Sequence, residues 1–115
     1  MHELAITQGV VDVVTARTGD VPVAGVRLRV GRLSGVVPDA MRFCFELVTA
    51  GTPLEGAALE FERPEGRARC RTCGQDFVLR DPVLLCGCGS ADVEVVAGRE
   101  LSVVSVVLAE RRAVT

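Results

Sequence analysis

The chain has 115 residues, is 49% hydrophobic and carries a formal net charge of −2. That length suits one domain, or one domain with a small insert, and the acidic balance argues against a general phosphate-backbone binder, which carries a basic face. No apolar stretch approaches the ~20 residues that span a bilayer, and no basic n-region precedes an apolar run, so the expectation is a cytoplasmic chain partnered by neither membrane nor nucleic acid.

Residues 2–18 predict a helix. On a helical wheel Ile6, Val10, Val11, Val13 and Val14 fall on one broad side, with Gln8, Asp12 and Thr15 opposite. Gly9 and the valines are weak helix formers, so burial has to hold the segment. Glu3 suits the positive end of the helix dipole. Gly19-Asp20-Val21-Pro22 ends the run.

Val23–Leu33 alternates Val26, Leu28 and Val30 with Arg27, Arg29 and Gly31. The pattern predicts a strand with one buried face and one basic, wet face. Pro38 fits the first position of a second helix, where its missing N–H costs nothing. Met41, Cys44, Phe45 and Val48 repeat at helical spacing, and Phe43 and Leu47 widen the stripe. Cys44 reads there as a small core hydrophobe, not a nucleophile or metal ligand. Gly51 fits the position just past the helix, and Pro53 blocks its continuation.

Ala57, Leu59 and Phe61 alternate with Ala58, Glu60 and Glu62, a second strand. Pro64-Glu65-Gly66 leads into a cysteine-bearing lobe, within which Gln75–Leu79 and Val83–Leu85 predict short strands. Asp92–Val96 follows, then a turn at Ala97-Gly98-Arg99. Leu101–Leu108 is apolar on both faces apart from Ser102 and Ser105, which predicts a strand central in a sheet and covered on both sides. The expected fold is α+β: a small, mostly antiparallel or mixed sheet with two helices on one face, formed by residues 1–63 and 92–115. A zinc-ribbon lobe is inserted at 64–91.

Cys70 and Cys73 read C-R-T-C-G, and Cys86 and Cys88 read C-G-C-G. Two thiol pairs on short knuckles suit a tetrahedral ion, Zn²⁺ above all, with sulfurs about 2.3 Å from the metal. Gly74, Gly87 and Gly89 are the expected turn residues. Four thiolates leave no open position, so the zinc is structural. The second pair is C-x-C, a tighter chelate than the first.

His2 is the chain's single histidine, within an initial M-H-E. It is a solvated terminal residue or a ligand. The Met1 amine, the His2 main-chain nitrogen and the His2 imidazole can close two adjacent chelate rings on one ion. The Glu3 main-chain nitrogen or carboxylate can complete a square plane, a geometry suited to Ni²⁺ or Cu²⁺. No zincin, P-loop or Rossmann signature is present, and a lone terminal histidine cannot serve a buried triad; no enzyme is expected. A zinc-ribbon protein-interaction or nucleic-acid-binding module and a rubredoxin-like iron carrier are the alternatives.

The initial M-H-E, then G-R-L-S-G-V-V-P-D-A-M-R-F, G-R-A-R-C-R-T-C-G and C-G-C-G-S, resembles the hydrogenase maturation nickel metallochaperones of the HypA family over nearly the whole chain. The resemblance implies a nickel-binding α/β domain with an inserted zinc ribbon. It implies delivery of Ni(II) to the [NiFe]-hydrogenase large subunit, in partnership with a HypB-type GTPase. By position it makes His2 the nickel ligand, with the Met1 amine and Glu3 beside it, and Cys70, Cys73, Cys86 and Cys88 the Zn(II) ligands. The family's second knuckle is usually C-P-x-C, one residue longer than here. Val37 stands where the family often has an acidic residue, so no nickel ligand is assigned in that loop, and Asp39 reads as part of a helix N-terminus.

Overall fold

The computed structural model describes residues 2–109. In chain order they form α1 (Glu3–Thr18), β1 (Val23–Val30), α2 (Pro38–Thr49), β2 (Ala58–Glu62), β3 (Gly66–Cys70), β4 (Asp76–Leu79), β5 (Val93–Ala97) and β6 (Leu101–Leu108). The class is α+β, as the sequence predicts, but the strands make two three-stranded sheets where one was expected. Their orders are β2-β1-β6 and β4-β3-β5. The described residues divide into two compact units: 2–28, 36–61 and 102–109, and 29–35 and 62–101.

In the first unit α1 packs against α2. The buried residues of α1 are Thr7, Val10, Val11 and Val14. A valine costs about 0.6 kcal/mol of helix propensity but returns roughly 1.5–3 kcal/mol when buried, so packing decides the conformation. Val13, placed on the apolar side by the wheel, is exposed, and Thr7 takes the buried place. Thr7 can do so because its hydroxyl donates to the Glu3 carbonyl at 2.6 Å. Thr15 and Thr18 bond back one turn in the same way, at 2.9 and 3.0 Å.

Pro38 opens α2, and the Val37 carbonyl accepts the first helical bond, from the Met41 N–H at 3.0 Å. Met41, Phe45 and Thr49 are buried. Phe43 and Leu47 do not widen the buried stripe: they are 64% and 58% exposed. Cys44 is half-buried, not a core residue.

The outer face of β1 is not bare basic surface. Arg27 pairs with Glu60 at 2.8 Å and Arg29 with Glu62 at 3.0 Å. Exposed pairs of this kind contribute about 0.2–1 kcal/mol each, so they neutralise the face more than they stabilise it. The expected central position of β6 is also corrected. β6 lies at the edge of its sheet, and none of its eight residues is buried.

The second unit is organised by β3, which pairs antiparallel with β4 and with β5. The sequence pattern predicts only an entry into the lobe at Pro64-Glu65-Gly66 and no strand at 66–70. Their alternation is real but carried by small side chains: Gly66, Ala68 and Cys70 are buried, and Arg67 and Arg69 face water. Val83–Leu85 forms no strand. The segment is an exposed turn in which the Asp81 carboxylate accepts the Val83 N–H at 3.0 Å.

Candidate metal centre

The four cysteines converge in the second unit. Cys70 ends β3, and Cys73 follows one turn later. Cys86 and Cys88 form a second turn before β5. In the first turn the Gly74 N–H donates to the Cys70 carbonyl at 2.8 Å, closing over four residues. In the second the Gly89 N–H donates to the Cys86 carbonyl at 2.9 Å, closing over three. The shorter C-x-C spacing is therefore matched by a shorter turn, and both turns still end on a glycine. Gly74 and Gly89 have φ of 77° and 94°, a region that side chains with a Cβ avoid. Gly87 is not among the positive-φ residues and makes no such demand.

All four sulfurs lie within 4.8 Å of one another. Cys70 Sγ is 3.7 Å from Cys88 Sγ, and Cys73 Sγ is 3.7 Å from Cys86 Sγ. A tetrahedron with bonds of about 2.3 Å has edges of about 3.8 Å, so the cage fits zinc. A disulfide needs about 2.05 Å, and none is formed. The Cys73 N–H points to Cys70 Sγ at 3.4 Å and the Cys88 N–H to Cys86 Sγ at 3.5 Å, so each turn offers an amide to the sulfur that opens it. Thr72 and Ser90 share a hydroxyl bond at 2.8 Å that ties the turns together.

Without a cation the quartet cannot hold four negative charges. The Cys73 N–H first, then other donors, pulls Cys70 down to about 6. At Cys86 the Cys88 N–H pulls the same way, but burial and the neighbouring sulfurs outweigh it and push the thiol up to about 12. A divalent ion displaces the protons that remain, so acid competes with it. Among the described residues this is the one cluster of histidine, cysteine or acidic side chains able to share an ion.

The N-terminal candidates are placed differently. Met1 lies outside the described residues. His2 is exposed and precedes α1; its carbonyl accepts the Ile6 N–H at 3.0 Å, and its side chain caps nothing. Glu3 is engaged: its carboxylate accepts the Val37 N–H at 3.1 Å. That bond holds the Glu3 carboxyl below its ordinary range. The contact therefore contributes stability above the unfolded-state pKa and loses it as pH falls through the lowered value. Position 37, which lacks an acidic side chain, thus receives one from position 3. No residue pattern signals this contact, because a backbone donor carries no residue preference. Asp39 sits exposed in the first turn of α2, as expected.

The family described as hydrogenase/urease nickel incorporation, metallochaperone, hypA matches residues 1–108. A hydrogenase maturation factor HypA from Streptomyces avermitilis is 50% identical over 112 residues, covering 92% of this chain and 86% of the relative. Another of the same description, from a Nostoc species, is 44% identical over 103 residues, covering 90% and 91%. The solution structure of the Ni metallochaperone HypA from Helicobacter pylori superposes with a TM-score of 0.66 at 18% identity, covering 94% of this chain and 97% of that one.

Proposed function

Because this chain belongs to the HypA family of nickel-incorporation metallochaperones, we propose that it binds Ni(II) at its N-terminus and hands it on during [NiFe]-hydrogenase maturation. The observation that carries the reading is the family match over residues 1–108, which takes in the M-H-E start. The Met1 amine and the His2 main-chain and imidazole nitrogens are the proposed ligands. For the fourth position the Glu3 main-chain nitrogen is favoured over the carboxylate, because with it every donor in the plane is nitrogen; the carboxylate Oε2 accepts the Val37 N–H. Nitrogen donors in a plane suit Ni²⁺, and donors on an exposed end suit an ion that must leave again.

Cys70, Cys73, Cys86 and Cys88 are proposed to hold structural zinc. The role is that of a maturation factor, not a catalyst. The proposed partners are a HypB-type GTPase and the large subunit of a [NiFe]-hydrogenase, and the proposed location is the cytoplasm. The zinc-ribbon interaction or nucleic-acid module is not favoured, since the nickel-incorporation family match spans residues 1–108.

Calorimetric nickel titration of three proteins tests the site. His2→Ala is expected to lose specific Ni²⁺ binding and to leave hydrogenase activity unrestored in cells lacking this chain, with zinc content unchanged. Glu3→Ala is expected to keep Ni²⁺ stoichiometry while the Val37 amide exchanges faster with solvent. Nickel binding undiminished in His2→Ala would remove the N-terminal site. Its loss in Glu3→Ala, with the fold intact, would make the carboxylate a ligand.

A further inference from the structure

The two cysteine turns are anchored unequally. Cys70 belongs to β3, opposite Val93 of β5, and its N–H donates to the Gln75 carbonyl at 2.9 Å. The first turn therefore rides on a sheet. The second lies between Leu79 and Val93, where β4 has ended and β5 has not begun. It closes on Ser90: the Cys86 N–H donates to the Ser90 carbonyl at 2.9 Å. The Ser90 Oγ is fixed as well, because it accepts the Asp92 N–H at 3.0 Å. From there it meets Thr72 Oγ1 at 2.8 Å, one hydroxyl donating to the other. Thr72 stands between the two cysteines of the first turn, and β-branching stiffens its χ1. The Arg71 N–H also donates to the Asp92 carbonyl at 2.9 Å, but that bond holds the chain past the second turn and not the turn itself.

We propose that Thr72 and Ser90 form a clasp that positions the second thiol pair and slows the escape of the bound metal. This rests on the four-thiolate zinc reading above and adds to it two positioning residues that touch no metal. Both sulfur distances from one turn to the other are 3.7 Å, so the turns already stand at zinc spacing. An ion held by four thiolates leaves as sulfurs detach and one turn swings away. The sheet restrains the first turn, so the second is the one that swings. The clasp has to break before it does. One hydroxyl bond is small beside the whole zinc-binding energy, so a chain without the clasp still fills with zinc, and the effect shows in how fast the ion leaves.

The rate of zinc loss from the full, reduced chain into excess EDTA tests this, with the zinc retained measured by atomic spectroscopy. Thr72→Val keeps the shape and removes the hydroxyl; it is expected to load one zinc per chain and to lose it about fivefold faster, the factor that one net hydrogen bond supplies. Thr72→Ser keeps the hydroxyl and is expected to hold the native rate. Ser90→Ala should be at least as fast as Thr72→Val, because it also frees the Asp92 N–H. The double variant should be no faster than Ser90→Ala, since the two residues share one bond. Substituted with Co²⁺, all of them should give the native tetrahedral thiolate spectrum. Three results would each overturn the clasp: a native rate in Thr72→Val, an equal acceleration in Thr72→Ser, which would make the methyl group the working part, or a double variant whose acceleration is the product of the two singles. A native chain that takes up no zinc would instead overturn the four-thiolate reading, and the clasp with it.

Discussion

Cys86→Ala is expected to strip the protein of its zinc and unfold the second unit, while the helical far-UV signal persists. Cys86 is 3% exposed and belongs to that unit's small core, with Ala68, Cys70, Leu79 and Val93. Two of those five residues are proposed metal ligands. What remains is one leucine, one valine and one alanine, with Leu33, Phe77 and Val95 packed partly against them. Fully burying a large aliphatic side chain contributes roughly 1.5–3 kcal/mol, against apparent zinc-binding energies of about 10–16 kcal/mol in small ribbons. The metal therefore outweighs the hydrophobic contribution, and losing it is decisive. α1 and α2 lie in the other unit, whose core of Val14, Val26, Leu28, Met41, Phe45 and Leu54 contains no cysteine. Zinc content by atomic spectroscopy, together with near- and far-UV dichroism, checks the result. Full zinc occupancy and ordinary stability in Cys86→Ala would mean that a non-cysteine group supplies the fourth ligand.

The cysteine quartet and both helices were legible because they rest on spacing, and spacing survives in a bare sequence. Pro38 and Gly51 bracketed α2 for the same reason, each marking a backbone state that few other residues favour. The misreadings have physical causes. A helical wheel ranks side chains by polarity, and Thr7 entered the core by satisfying its hydroxyl within its own helix, a bond no wheel records. Phe43 and Leu47 were assigned to the core because apolarity is a reason to bury a side chain, but not a place to bury it. β3 was hidden because its inward residues are glycine, alanine and cysteine, too small to look like a strand face. β6 was read as central because its sequence is that of a covered strand. The disagreement concerns what covers it, which one chain's pattern cannot say. The Glu3–Val37 contact joins a side chain to a main-chain amide across 34 positions, and no local rule reaches that far.

Adding two or three residues before Met1 is expected to abolish high-affinity nickel binding while leaving every side chain, the zinc and the fold in place. The extension converts the Met1 amine to an amide. The first chelate ring joins that amine to the His2 main-chain nitrogen, so it is broken even though His2 and Glu3 are untouched. The change falls outside α1, which begins at Glu3, and His2 is exposed, so no packing is lost. Zinc should stay bound, because its four candidate ligands lie in residues 70–88. The extended protein should then fail to restore hydrogenase activity in cells that lack the native one. Acid should mimic the extension reversibly in the native protein: the amine and the imidazole must both give up their protons to bind, so Ni²⁺ affinity falls as pH is lowered. The measurement is a nickel titration of both proteins across pH, followed by calorimetry and by the visible spectrum that a square-planar nickel site gives. If the extended protein bound Ni²⁺ as tightly as the native one and with the same spectrum, the amine would not be a ligand. The site would then have to be rebuilt around His2 and the carboxylate of Glu3, whose Oε2 also accepts the Val37 N–H.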